Sequence, residues 1–110
     1  MTATALSYDG RRFGPAGAPA GSSAGTYHQD GTLVWAEFSG TGVRAGRLVG
    51  TCDEHGVITA AYCMVTADGG TVAGECTSTP TALPDGRVAL TEHWRRLDGS
   101  SGVSHLEELR

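Results

Sequence analysis

From Tyr27 to Trp94 the chain alternates apolar and polar residues with a period of two, and the alternation breaks at short polar turns. Asp-Gly pairs punctuate the chain five times, at Asp9-Gly10, Asp30-Gly31, Asp68-Gly69, Asp85-Gly86 and Asp98-Gly99. "SGTG" at 39–42 and "EHG" at 54–56 add two more. Period-two segments separated by such turns predict short antiparallel strands joined by hairpins. The pattern predicts about eight of them, near 3–8 (with 11–13), 23–29, 32–39, 42–52, 57–66, 70–79, 87–97 and 103–109. The closing "SHLEELR" is the single candidate for a helix, and its spacing is read as a last strand. "GPAGAPAGSSAG", 14–25, is low in complexity and is expected to be a flexible loop or lid. "STPTALPDGR", 78–87, is expected to be a longer connection stiffened by Pro80 and Pro84.

Turn chemistry sets a register. A three-residue loop ending in Gly closes a type I turn with a Gly bulge. At Glu54-His55-Gly56 this places Cys52 opposite Ile58, Gly50 opposite Ala60, Leu48 opposite Tyr62 and Gly46 opposite Met64. At Ala67-Asp68-Gly69 it places Met64 opposite Val72, Tyr62 opposite Gly74 and Ala60 opposite Cys76. A two-residue turn at Gly40-Thr41 sets Trp35 against Gly46, Leu33 against Leu48 and Glu37 against Arg44. A loop at Gln29-Asp30-Gly31 sets Tyr27 beside Leu33. The pairs share one face, which also takes in Val88, Leu90, Glu92 and Trp94. On it large residues repeatedly oppose Gly or Ala, as the interior of a small barrel requires. The expected fold is all-β: an antiparallel up-and-down barrel of about eight strands. Such a barrel has room for side chains or one small ligand.

Composition narrows the function. The chain has 110 residues, the size of one ordinary domain, and 1–110 is read as a single barrel domain. Net charge is −4 and all eight basic residues are Arg, scattered rather than striped. No basic footprint for nucleic acid is present. No apolar run approaches the ~20 residues that cross a bilayer as a helix. "MTATALSYDGRRF" lacks the apolar core of a secretory signal. Cys52, Cys63 and Cys76 are odd in number and form no C-x-x-C, so free thiols in a reducing, cytoplasmic setting are expected. No metal site and no cofactor are expected.

Within that frame "YDGRRF" (8–13), "YHQDG" (27–31), "VWAEFSG" (34–40), "CTSTPTALPDGR" (76–87) and "LTEHW" (90–94) resemble a family of small bacterial proteins whose members often carry the name N-acetylglutamate synthase. The resemblance covers nearly the whole chain. It implies a compact β-barrel of the lipocalin, avidin and calycin class. Acetyltransferases grip the coenzyme pyrophosphate with a Gly-rich turn at a helix start. "RAGRLVG" at 44–50 reads as a strand instead, so that chemistry is not expected.

The candidate chemistry lies on the inward face. Glu37 and Glu92 each sit two residues from a Trp, and burying a carboxylate is costly unless it is paired. Glu37 has a structural explanation in a cross-strand pair with Arg44. Glu92 has one in a hydrogen bond to a tyrosine or a backbone amide. Tyr27, Trp35, Glu37, Arg44, Tyr62, Met64, Glu92 and Trp94 are the expected ligand-binding set. The first reading is a small-molecule-binding barrel holding a partly apolar ligand. The alternatives are a cofactor-free acid–base enzyme of isomerase or cyclase type using Glu92 or Glu37, and a structural barrel with no ligand. The outward parity of strands three and four carries Val34, Ala36, Phe38, Val43, Ala45 and Val49. That apolar patch predicts a homodimer.

Overall fold

The computed structural model describes residues 6–17, 19 and 22–110. Eight strands run in chain order: β1 (Arg12–Pro15), β2 (Ala24–Asp30), β3 (Leu33–Gly40), β4 (Val43–Cys52), β5 (Ile58–Thr66), β6 (Thr71–Ala82), β7 (Val88–Arg96) and β8 (Ser101–Glu108). Each pairs antiparallel with the next, and β1 pairs with β8, so the sheet closes into an up-and-down barrel. Closure leaves no free sheet edge among the described strands. The last segment is a strand, and no helix long and apolar enough to cross a membrane occurs among the described residues.

The predicted elements differ mainly at the ends. The first strand is the 12–15 segment; of the 3–8 stretch, 3–5 lie outside the described residues and 6–8 are not strand. The low-complexity stretch contributes Gly14 and Pro15 to β1 and Ala24 and Gly25 to β2. β6 continues through Pro80 to Ala82, so the connection to β7 is only the turn at 83–87.

The register of β4, β5 and β6 follows the turn argument. Cys52 faces Ile58, Leu48 faces Tyr62, Met64 faces Val72 and Ala60 faces Cys76. β3 does not. Its pairs are Tyr27 with Ala36 and Phe38 with Gly46. The β2–β3 loop has two residues, Gly31 and Thr32, with Gly31 at φ 61°. The β3–β4 turn is Thr41-Gly42, with Gly42 at φ 86° and a bulge beside it. Each hairpin is offset by an odd number of residues from the expected pairing, and an odd offset turns every side chain of a strand to the other face.

Three expectations fail as a result. Trp35 and Glu37 stand on the outside of the barrel rather than inside. Arg44 is exposed near the bulge, and Glu37 faces Arg47 across the strands instead. The apolar dimer patch is dismantled, because Val34 and Ala36 are fully buried and Phe38 packs against the core.

One end of the barrel is filled. Tyr8, Val34, Ile58 and Leu90 are fully buried there, with Cys52 and Val88 around them. The N-terminal segment plugs this end: Tyr8 donates its hydroxyl to the Gly56 carbonyl, and its ring packs with Phe13 and Tyr27. Burial pushes the Tyr8 hydroxyl far above its ordinary range, so it stays a donor. The side chains thin out toward the other end, where β1, β3, β5 and β7 finish.

Candidate functional site

That thinning leaves a cup. Its volume is about 230 Å³ and it opens beside Pro15, Ser23 and Arg96. The wall is aromatic and apolar: Phe13, Tyr27, Phe38, Tyr62, Trp94, with Leu48, Met64 and Leu106 between. The polar groups that reach it are few, chiefly Glu92, Arg96 and Ser104. A mostly apolar cavity with a small number of placed polar groups is the usual makeup of a small-ligand site.

Glycine makes room for the aromatic wall. Gly46 lies across from Phe38, and a Cβ there would come within 2.1 Å of the Phe38 ring. Gly102 lies across from Trp94, and a Cβ there would come within 2.5 Å of the indole. With that space the indole lies over β8 and donates Nε1–H to Ser104 Oγ at 3.1 Å. The rule that large faces small therefore operates in this barrel, with Phe38 in the place expected for Trp35.

Glu92 projects from the middle of β7 into this wall. Ser78, buried on β6 opposite, donates its hydroxyl to Glu92 Oε2 at 3.4 Å, a long bond. The Cys76 thiol, two residues along β6, lies beside it and favours its ionised form. Among the described residues Glu92 forms no ion pair. Burial raises its carboxyl above the ordinary range, and the Ser78 hydroxyl and the Cys76 thiol oppose that only in part. Its field spreads to its neighbours. Burial first and the Glu92 charge second push the Tyr27 hydroxyl far up. The same two causes push the Cys76 thiol up to about 12. Both stay protonated at neutral pH, and Cys76 is no nucleophile there.

The structure brings Tyr27, Tyr62, Met64, Glu92 and Trp94 together around the cup. It does not bring Trp35, Glu37 or Arg44 to it. On the outer face His28 stacks on Trp35 with ring centroids 5.3 Å apart, and His28 Nε2 lies 2.8 Å from Glu37 Oε1. Glu37 is thus partnered outside, and nothing places it at a reacting centre. Phe38, Arg96, Ser104 and Leu106 also belong to the cup, beyond the set expected from the sequence. A signal existed for Arg96, which continues the Glu92, Trp94 parity by one step. The sequence carries a signal for Ser104 and Leu106 too: a three-residue loop Leu97-Asp98-Gly99 with Gly last places Glu92 opposite Ser104 and Leu90 opposite Leu106, as observed.

The model of a family described as "Avidin-like protein" matches residues 6–109. No curated protein and no solved structure matches the chain.

Proposed function

Because the chain belongs to the avidin-like protein family, we propose that its half-filled barrel is a binding cup for a small, partly apolar molecule. The observation that carries this is Glu92: a desolvated carboxylate in an aromatic wall, with one long hydroxyl bond, a thiol beside it and no paired cation among the described residues. A carboxylate held so weakly by its own protein is suited to accept a hydrogen bond from a guest. The aromatic wall of Phe13, Tyr27, Phe38 and Tyr62 suits a flat guest body. The cup is smaller than the ~300–1,000 Å³ of pockets that bury drug-sized ligands, so the guest is fragment-sized.

Native mass spectrometry of protein purified from its source tests this. The expected result is a retained small molecule on the parent protein that is lost from Glu92→Gln. A folded Glu92→Gln protein that holds the same molecule with unchanged affinity would remove Glu92 from the site. Source-purified protein that carries nothing and binds nothing from a small-metabolite library would leave a barrel without a ligand.

A further inference from the structure

We infer that Arg96 makes the cup selective for molecules that carry a carboxylate, a conclusion that rests on the binding-cup reading. Arg96 is the last residue of β7, two beyond Trp94 and four beyond Glu92. Its guanidinium carbon lies 4.7 Å from the centroid of the Trp94 ring. Its Nε–H is buried and has no hydrogen-bond partner. A buried donor on a permanent cation is costly to leave unmade. Trp94 offsets part of that cost through its ring face, but it offers no acceptor.

The protein's own carboxylates do not meet this need. Asp98, the nearest in sequence, accepts from the Ser100 amide at 2.8 Å and the Ser100 hydroxyl at 2.6 Å. Arg96 adds only a weaker electrostatic pull on it, and the two form no ion pair. Glu92 lies four residues deeper on the same strand, on the order of 13 Å away between Cα atoms. The guanidinium carbon therefore sits over the indole at the edge of the cup, with no acceptor of the described protein on its buried Nε–H. Arg presents a planar fork that matches a carboxylate edge through two parallel hydrogen bonds. The two charged groups then define the guest by its ends. A hydrogen-bond donor goes down to Glu92, a flat apolar body lies along the aromatic wall, and an acid sits at the mouth on Arg96.

Three probes separate the ends: 3-(4-hydroxyphenyl)propionate, its primary amide, and 3-phenylpropionate, which lacks the hydroxyl. Trp94 fluorescence in a Trp35→Phe background reads their binding, since Trp35 stands outside the cup. The acid is expected to bind at least about tenfold tighter than the amide. Arg96→Gln should bring that ratio to about one, and Arg96→Lys, which keeps the charge and loses the fork, should fall between. Were Arg96 only a packing cation, its loss would lower the melting temperature and leave the acid-to-amide ratio untouched. A ratio near one in the parent, or a ratio that survives in Arg96→Gln, overturns the inference. If Arg96→Gln does not fold, the parent ratio and Arg96→Lys decide. A hydroxyl preference that depends on Glu92 without any acid preference would sink Arg96's role and leave the cup standing. Failure of all three probes at millimolar concentration also overturns it, and the retained-ligand spectrum then judges the cup alone.

Discussion

Glu92 links the chemistry of one residue to the stability of the barrel. Its carboxyl is raised in the folded state above its ordinary 4.5, chiefly by burial. A group raised on folding favours the folded state while it is protonated. Its contribution is fully present below the unfolded value and is lost as pH rises through the folded value. The ligand-free protein should therefore lose melting temperature as pH climbs from about 4.5 through the raised value of Glu92. Glu92→Gln keeps the shape and cannot ionise. It should flatten that decline and melt at least as high as the parent at pH 7. Differential scanning fluorimetry across pH 4 to 8 checks this. A Glu92→Gln protein that melts lower than its parent at neutral pH would mean that the ionised carboxylate holds the barrel together. A site that destabilises its own empty state is one expected of a binding residue.

At the scale of the element, β3 is the instructive strand. Its residues are a good strand sequence on either face: Leu33, Trp35 and Glu37 on one, Val34, Ala36 and Phe38 on the other. Composition alone does not choose between them, and only loop length does. Asp30-Gly31 supports a three-residue loop with Gly last or a two-residue loop with Gly first, and the structure takes the second. The turns at 53–57 and 66–70 left no such choice, and β4 to β6 were legible residue by residue. The barrel, its eight strands and the Glu92–Trp94 wall could thus be read from the sequence, while the β3 part of the wall could not. The placement predicts a parity contrast. Val34→Asn puts an amide into a fully buried position and should cost about 3 kcal/mol or more. Leu33→Asn, at a side chain 45 % exposed, should stay within ~0.5 kcal/mol. Urea denaturation of both variants measures it, and the reverse order would return Leu33 and Trp35 to the interior.

For the whole molecule the weak point is the seam where the barrel closes. β4 and β5 pair along nearly their full length, whereas β1 has four residues. It meets β2 through Arg12 and Phe13, and β8 through Phe13, Gly14 and Pro15. Pro15 brings no N–H to that ladder. The filled end of the seam is clasped by Glu108, whose Oε1 accepts from Arg11 at 2.8 Å and from the Val88 amide at 3.0 Å. The open end is different. There Phe13, Gly14, Pro15 and Ala24 are themselves wall of the cup. Short pairing next to a cavity gives the least protected amides, since local opening there exposes little buried surface. Hydrogen exchange at Gly14 and Ala24–Thr26 should therefore outrun exchange across β4 and β5. A guest in the cup would touch both sides of the seam and bind the closed state in preference to the open one. Saturation with 3-(4-hydroxyphenyl)propionate should then slow the seam amides more than those of β4 and β5, and exchange followed by mass spectrometry reads the difference. Equal slowing everywhere would mean that the guest stabilises the barrel only globally. No slowing at saturation would place it outside the cup. The same short strand that makes the barrel easiest to open lines its mouth, so binding and closure draw on one set of contacts.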